Sequence, residues 1–406
     1  MTYLNFKAIK DLSARPSRDL QGTPFLKYAS LYWGTHMRLG LSDRLRHLAH
    51  DLLDQYDNHI SVELLWNSTL ERNSHSSKPF SALHCVSYFG LAETAVDLLR
   101  TKRWDVNERD SAGWTPLMWA ARYGREEVVE FLLQQKHTQP DMSDTKYGRT
   151  ALSWAAGGGH EGVVRLFLGR PFLGSRGVGP RWRKTQHVIN PLLNGKHINP
   201  DKPDNYGQTP LLWAAENGRD EVVKPLLERK DVSPDKPDNH GRTPLWLAAR
   251  NGHDEVVKIL LGRGDVSPDR LCNDGRTPLW LAAQHRHVEV VKLLLRQKGV
   301  NPDMPSDGDR TLLLWAAENG HDGVVKLLLG RKDVSLDRSD QHGRTLFLWA
   351  AENGRDEVVK LLLERKDVNP DKPDNHGRTP LWLAAQNRHV EAVKLLLGRK
   401  AVTPRC

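Results

Sequence analysis

A glycine-rich stretch and a set of histidines are the residues of this sequence whose types and spacing could form a nucleotide-binding or metal-binding site. GGGHEG (157–162) matches the G-x-G-x-x-G pattern, which binds dinucleotides where it follows a strand and opens a helix. His342 and His376 lie at one position of neighbouring copies of a repeat, and packed helices are about 8–10 Å apart. That spacing is too wide for two nitrogens at about 2 Å from one zinc ion. We therefore expect a helix-to-helix turn at 157–162 and a row of solvated histidines that also includes His240.

Motifs for the common catalytic chemistries do not occur in this sequence. There is no G-x-x-x-x-G-K-[ST], no G-x-S-x-G, no H-E-x-x-H and no cysteine pair at metal-binding spacing. The sequence therefore predicts a protein that is not an enzyme and that uses no cofactor and no metal.

A repeat of 34 residues organises most of the chain. The segment PDKPDNHGRTPLWLAA occurs at 234–249 and again, unchanged, at 370–385. Threonines that open related segments follow one another at steps of 34 residues, and weaker copies lie upstream; a fixed period of this kind indicates a repeat architecture. The regular openings are Thr209, Thr243, Thr277, Thr311, Thr345 and Thr379, and the upstream ones are Ser81, Thr115 and Thr150.

One repeat, residues 241–274, predicts two short helices and a turn. Thr243 can cap the first helix, Pro244 suits its first position, and Gly252 can close its C-terminus in the left-handed conformation. In the second helix, DEVVKILLGR, acids come first, Arg263 comes last, and the Val and Leu residues form one apolar stripe. Two such helices need identical neighbours to bury both of their faces.

The pattern G-x-T-P-L-x-x-A-A, then x-x-G-H, V-V-K-L-L-L and D-V-N/S-P-D, resembles the ankyrin repeat. The resemblance covers about 80–406 with one interruption. It implies an all-α repeat fold, an ankyrin solenoid of paired antiparallel helices joined by β-hairpin-like loops. The sequence departs from the family where Asp309 replaces the turn glycine, and where Arg286 and Arg388 replace the helix-ending glycine.

The domain boundaries follow from the repeat and its interruption. We expect a helical region at 1–79, repeats 1–3 at 80–170, an interruption with a degenerate half repeat at 171–206, and repeats 4–9 at 207–406. Residues 171–186 are rich in Gly, Pro and Arg, and they predict a mobile loop or a break in the stack. The segments TYLNF (2–6) and PFLKYASLYWGTHMR (24–38) resemble the region before the repeats in fungal NACHT–ankyrin receptors, whose nucleotide-binding module is missing here.

Charge and composition argue against nucleic acid and membrane partners. The net charge of +9 divides into +2 for residues 1–79, 0 for 80–170, +4 for 171–186 and +3 for 187–406. Nucleic-acid binding needs a continuous basic stripe, and the one basic cluster lies in the interruption. There is no apolar run of membrane-spanning length and no signal peptide, and the three cysteines read as free thiols in a reducing compartment. We expect a cytoplasmic monomer, with nuclear import through RWRK (181–184) as the alternative.

In ankyrin proteins, partners usually lie on the concave face made by the hairpin tips and the first helices. The resemblance therefore implies a binding face for a protein partner, with the row of arginines favouring an extended acidic segment. The tip residues are Arg242, Arg276, Arg310, Arg344 and Arg378, with Asn239 and His240 beside the first of them, and the helix residues are Glu216, Arg250, Gln284, Glu318 and Glu352. The alternative function is that of a regulatory or truncated fragment of a NACHT–ankyrin NTPase signalling receptor.

Eight repeats carry a tryptophan in the first helix, at one of two adjacent positions. We expect these side chains to fill space between helix pairs, with each indole N–H bonded to a backbone carbonyl. The alternative is an aromatic ladder on the binding face. The residues are Trp119, Trp154, Trp213, Trp246, Trp280, Trp315, Trp349 and Trp382.

Overall fold

The structure, a computed structural model, describes residues 81–100, 104–169, 198–304, 311–336 and 338–398. The helical region predicted at 1–79, the receptor-like segments within it, the loop at 171–186, Asp309 and Arg310 lie outside these residues. The described chain contains 18 helices arranged in consecutive pairs, and its β-structure is limited to the isolated bridges Ser143–Thr150 and Ser339–Thr345. The prediction of an all-α repeat fold with hairpin-like loops is confirmed.

The chain divides into two compact units, and the division falls in the repeat that begins at Thr209. The first unit contains residues up to Ala214 together with Glu221–Ser233, and the second contains Ala215–Asp220 and the chain from Pro234 onward. Helices of the first unit are α1 (Ala82–Phe89), α2 (Ala92–Arg100), α3 (Pro116–Arg122), α4 (Glu126–Gln134), α5 (Ala151–Gly158) and α6 (Glu161–Phe167). The dividing repeat holds α7 (Pro210–Glu216) and α8 (Asp220–Leu227).

The second unit continues with five helix pairs. These are α9 (Pro244–Asn251) and α10 (Asp254–Leu261), α11 (Pro278–Gln284) and α12 (Val288–Leu295), α13 (Leu312–Glu318) and α14 (Asp322–Leu329), α15 (Leu346–Glu352) and α16 (Asp356–Leu363), and α17 (Pro380–Gln386) and α18 (Val390–Gly398).

The ends of the first helices are fixed by the residues that the sequence indicates. The Thr243 hydroxyl accepts a hydrogen bond from the Trp246 amide at 3.2 Å, Pro244 occupies the first turn, and Gly252 closes the helix with φ 75°. Arg286 and Arg388 keep the left-handed conformation of the glycines they replace, with φ of 62° and 61°. The prediction of left-handed helix ends therefore holds even where the residue is unfavourable.

The core of each unit lies between the two layers of helices. In the repeat at 241–274, Val256, Val257 and Leu260 are buried, whereas Leu261 is only half-buried. The prediction that Arg263 ends the second helix is wrong, because α10 stops at Leu261. Arg263 instead makes a two-point ion pair with Asp265 in the following loop, at 2.6 and 2.8 Å.

GGGHEG forms a turn between two helices, as predicted. α5 runs into the first two glycines and α6 starts at Glu161, so no strand precedes the motif. Among the residues with described coordinates, no group of His, Cys, Asp and Glu could hold a metal ion, and no helix is long and apolar enough to cross a membrane. Cys85 and Cys272 are outside any disulfide and are both buried.

Candidate protein-binding surface

A buried aspartate holds three of the hairpin tips in the second unit. Asp238 Oδ1 accepts hydrogen bonds from the backbone amides of His240 and Arg242, both at 2.9 Å. Its Oδ2 accepts from the Arg242 side chain, with Nε and Nη2 each at 2.6 Å. The same carboxylate bonds the turn amides and the arginine, so this arginine has a fixed orientation.

Arg378 and Arg344 repeat this arrangement with small differences. Arg378 lies 2.7 Å from Asp374 Oδ2 through both Nε and Nη2. Arg344 Nε lies 3.4 Å from Asp340 Oδ2, and its Nη1 donates to Glu352 at 3.2 Å. The arginine side chains keep 22% (Arg242), 16% (Arg344) and 32% (Arg378) of their surface exposed, so the face presents guanidinium groups whose charge is partly neutralised.

Arg276 differs because Cys272 occupies the position of the buried aspartate. Its Nη1 donates to Gln284 Oε1 at 3.2 Å, and no carboxylate of the described chain lies within ion-pair distance. Among the described members of the predicted tip row in the second unit, Arg276 therefore carries the least neutralised charge.

The predicted helix residues lie next to the tips and along the seams between repeats. Arg276–Gln284 and Arg344–Glu352 contacts bring the two predicted columns together. Asn239 and His240 are exposed, as are the other predicted solvated histidines. The helix-column residues are half-buried: Glu216, Arg250, Gln284, Glu318 and Glu352.

Backbone carbonyls of the helix column accept hydrogen bonds from the next repeat. His253 Nε2 lies 3.0 Å from the Glu216 carbonyl, and His389 Nε2 lies 2.9 Å from the Glu352 carbonyl. Arg355 occupies the position that histidine holds in other repeats, and it donates to the Glu318 carbonyl at 3.2 Å. The helix column is thus part of the contact between repeats as well as part of the candidate face.

In the first unit the buried aspartate bonds a tryptophan instead of an arginine. The indole Nε1 groups of Trp119, Trp154 and Trp213 donate at 2.8, 3.1 and 3.0 Å. The accepting carboxylates are those of Asp110, Asp144 and Asp204. The expected backbone carbonyl acceptor is therefore wrong for these three indoles. It is correct for Trp246, which donates to the Arg276 carbonyl at 3.2 Å.

Two of these aspartates have shifted pKa values, in opposite directions. Burial alone would raise the pKa of Asp374, but hydrogen bonds from the Arg378 and His376 amides and the Arg378 side chain lower it below its ordinary value. Burial raises the pKa of Asp110 by more than the hydrogen bonds from the Trp114 amide, the Trp119 indole and the Ala112 amide lower it.

Guanidinium groups in the first unit stack on the aromatic rings. Arg149 Cζ lies 3.4 Å from the Trp213 ring centroid and 4.5 Å from that of Trp154. Arg122 Cζ lies 4.5 Å from the Trp154 centroid and 5.1 Å from that of Trp114. These distances are within the range of cation–π interaction.

Sequence reasoning missed the aspartates and Arg122. The available signal was an Asp four residues before the tip arginine in three repeats, at 238, 340 and 374, with a cysteine at the same place before Arg276. Arg122 could have been found as the equivalent of Arg250, because both directly follow the Ala-Ala pair.

Comparison with known proteins places the repeats in a family. The family model described as Ankyrin repeats (3 copies) matches residues 55–144, 83–175, 182–270, 265–340 and 313–404. The chain belongs to the ankyrin-repeat family. Ankyrin repeats are in general protein–protein interaction modules, and the hairpin tips and first helices described above are the elements that the resemblance assigns to binding.

Two curated ankyrin relatives match short parts of the chain. E3 ubiquitin-protein ligase XBAT33 of Arabidopsis thaliana is 42% identical over 88 residues, which is 22% of this chain and 17% of that protein. Ankyrin repeat-containing protein C6C3.08 of Schizosaccharomyces pombe is 34% identical over 86 residues, which is 21% of this chain and 36% of that protein. The matched segments thus span well under half of either relative.

Proposed function

We propose that this ankyrin protein is a non-enzymatic scaffold or sensor that binds partner proteins through the tips and first helices of its second unit. The observation that carries the proposal is the alignment of the two columns. Arg242, Arg344 and Arg378 are held by aspartates, and two tip arginines, Arg276 and Arg344, touch the helix column at 3.2 Å. A row of oriented guanidinium groups suits an extended segment with spaced Asp or Glu, because guanidinium binds carboxylates at two points.

Arg276 is the tip that we expect to contribute most to an acidic partner. Its charge is not compensated by a carboxylate of the described chain, whereas Arg242, Arg344 and Arg378 already have one. Exposed ion pairs contribute only about 0.2–1 kcal/mol each, so affinity for the partner requires several contacts together.

The test is charge reversal along the tip row, measured by calorimetry against a partner captured by the full chain and then purified. Reversal of Arg276, Arg310 and Arg344 to Glu is expected to weaken binding strongly, and binding to the unchanged chain should weaken as salt is raised. The matched control reverses Lys292, Lys326 and Lys360, which lie on the second helices of the same repeats. Equal binding by the tip variant and the unchanged chain would refute the assignment of this face.

The second candidate function is regulation of a NACHT–ankyrin NTPase receptor, by docking onto it or by competing with it. It is supported by the resemblance of TYLNF (2–6) and residues 24–38 to the segment before the repeats of such receptors. Binding of the full chain to a purified receptor of that class, abolished by deletion of residues 1–40, is the result expected on this alternative.

A further inference from the structure

The first unit carries a surface of stacked aromatic and guanidinium groups, which we call the Arg–Trp patch. Its members are Trp114, Arg122, Trp154, Arg149 and Trp213, and they come from three consecutive repeats. The Trp114 and Trp154 ring centroids are 4.4 Å apart. Arg122 covers both rings, and Arg149 covers Trp154 and Trp213.

The patch occupies the positions that form the candidate binding face in the second unit. Trp114 and Arg149 directly follow the turn glycines, as Arg242 does, and Arg122 directly follows the Ala-Ala pair, as Arg250 does. The second unit also stacks Arg344 on Trp349, at 3.9 Å, but the first unit joins several such contacts across neighbouring repeats.

The two guanidinium groups of the patch have weaker carboxylate contacts than Arg242 and Arg378 of the second unit. The indole N–H groups occupy the aspartate oxygens that bind arginine in the second unit. Arg122 has no carboxylate within ion-pair distance in the part of the chain that the structure describes. Arg149 Nε lies 3.5 Å from Asp204 Oδ2 and makes no hydrogen bond to any described group. Stacking uses the faces of both guanidinium groups and leaves N–H edges to bind an anion.

The rings beside these charges offer apolar contact area. Trp154 and Trp213 are half-buried, and Tyr206 at the neighbouring hairpin tip is 49% exposed. Next to Trp154, the two residues after the Ala-Ala pair are Gly157 and Gly158, where the preceding repeat has Arg122 and Tyr123. A Cβ at Gly158 would lie 2.8 Å from the His160 imidazole, so the His160 ring packs over this glycine at the edge of the patch.

Charge complementarity and the aromatic rings together define the occupant. Trp, Tyr and Arg are the residue types enriched at the sites that dominate protein–protein affinity. Single-stranded nucleic acid also stacks on such rings, but it requires a basic groove that follows its backbone. Residues 80–170 carry eleven basic and eleven acidic residues, which favours a peptide. We propose that the Arg–Trp patch binds an extended peptide in which an Asp or Glu lies beside aromatic or aliphatic side chains.

The experiment selects twelve-residue peptides against the full chain from two displayed libraries. One library fixes an Asp or Glu between two aromatic or aliphatic positions, and the matched library has Asn or Gln there. Affinities of the selected peptides are then measured by fluorescence anisotropy for the unchanged chain and for two double variants. Arg122→Gln with Arg149→Gln alters the patch, and Arg242→Gln with Arg250→Gln makes the equivalent changes in the second unit.

We expect enrichment from the acidic library alone. The Arg122→Gln/Arg149→Gln chain should bind the selected peptides at least about tenfold more weakly, the loss of roughly one charge-assisted hydrogen bond or more. Binding by the Arg242→Gln/Arg250→Gln chain should stay within twofold of the unchanged chain. A Glu→Gln change in the peptide should cost the unchanged chain the same factor, which tests the contact without altering the protein.

Three results would overturn the proposal. The first is no enrichment of acidic over amide peptides, and the second is equal binding of the selected peptides by the Arg122→Gln/Arg149→Gln chain and the unchanged chain. The third is that the unchanged chain binds a twelve-nucleotide oligo-dT, or peptides from residues 1–80 or 170–197 of this chain, more tightly than it binds the selected peptides. Near-ultraviolet circular dichroism checks the fold, and Arg122→Lys with Arg149→Lys keeps the charge should the glutamine variant unfold. Loss of binding only in the Arg242→Gln/Arg250→Gln chain would contradict the patch and support the face of the second unit.

Discussion

At the scale of single residues, Arg286 disturbs a packing arrangement that its neighbours preserve. A Cβ added to Gly218 or Gly252 would lie 2.5 or 2.4 Å from the imidazole Nδ1 of the next repeat, so glycine is required for the histidine to fit. Arg286 already has such a Cβ. Among the described residues, no hydrogen bond joins the His321 ring to Gln284, the equivalent of the acceptors of His253 and His287, and His321 Nδ1 has no hydrogen-bond partner.

Replacement of Arg286 by glycine should therefore stabilise the protein. Relief of left-handed strain contributes about 1 kcal/mol, and repacking of His321 adds to it. Arg388→Gly is the control, because Arg388 has the same strain and no described repeat follows it. Urea unfolding should show a larger gain for Arg286→Gly than for Arg388→Gly. Burial and the charge of Arg286 lower the pKa of His321, so this pKa should rise in the variant. Equal gains would contradict the repacking.

His84 makes the stability of the first unit depend on pH. The Ser81 amide donates to its Nδ1 at 3.1 Å, and its Nε2 lies 3.0 Å from the Trp114 carbonyl, so the buried ring is satisfied in its neutral form. Burial lowers its pKa from 6.5 to about 4. Below pH 6.5 the unfolded chain binds a proton that the folded chain does not, so stability falls as pH falls toward 4.

Between pH 7 and pH 5 this histidine should cost about 2 kcal/mol of stability, since each unit of pKa difference corresponds to about 1.4 kcal/mol. Denaturant unfolding of the first unit at the two pH values measures the loss. His84→Gln should be less stable at pH 7 and should lose about 2 kcal/mol less between the two values. Exposed His240→Gln should behave like the unchanged chain. A parallel pH dependence in His84→Gln would exclude the histidine as its source.

At the scale of the hairpin, the aspartate four residues before the tip arginine is the stabilising element, and Cys272 and Ser306 replace it in two repeats. Cys272 leaves the amides of Asp274 and Arg276 without the carboxylate that Asp238 supplies to His240 and Arg242. The turn itself persists, because the Gly275 amide donates to the Cys272 carbonyl at 2.9 Å.

Cys272→Asp should stabilise the second unit by about 1–2 kcal/mol, through two amide hydrogen bonds and an ion pair to Arg276. Cys272→Asn is the control that restores the amide acceptor without the charge, and it should recover part of the gain. Thermal unfolding of both variants at pH 7 separates the contributions, since only the aspartate variant carries the charge that pairs with Arg276. A destabilised Cys272→Asp would show that the site cannot hold a carboxylate.

The helix elements were predictable from sequence, and the side-chain partners at the surface were not. Thr243, Pro244 and Gly252 act on their own helix, so their roles follow from local rules. The partner of an indole or guanidinium depends on which repeat packs beside it. Trp154 bonds Asp144 of its own hairpin, whereas Trp246, one position earlier in its helix, bonds the carbonyl of the next repeat. A shift of about 100° around a helix thus changes both the partner and the face.

At the scale of the whole molecule, each repeat is tied mainly to the next. Hairpin tips are linked in this way: the Asn273 amide donates to the His240 carbonyl at 2.9 Å, and the Asn375 amide donates to the His342 carbonyl at 3.1 Å. In such an array stability is approximately a sum of repeat terms and nearest-neighbour terms. A perturbation at one tip should therefore spread to the adjacent repeat and fade beyond it.

Alanine substitutions at two tip glycines of the same conformation distinguish the stability of one repeat from the stability that its contact with the next repeat adds. Gly343 and Gly377 have φ of 74° and 77°, so alanine brings a similar left-handed strain of about 1 kcal/mol to each. A Cβ at Gly343 would lie 2.2 Å from Asn375 Oδ1 in the next tip, whereas a Cβ at Gly377 meets no described atom within 4 Å. Gly343→Ala should therefore destabilise the second unit by more than Gly377→Ala. Hydrogen exchange should also show lost amide protection in both the 340–363 and the 374–398 repeats for Gly343→Ala, and in the latter alone for Gly377→Ala. If the two variants lost stability and protection equally, strain at the glycine would account for the whole effect, and the link between tips would contribute nothing to the array.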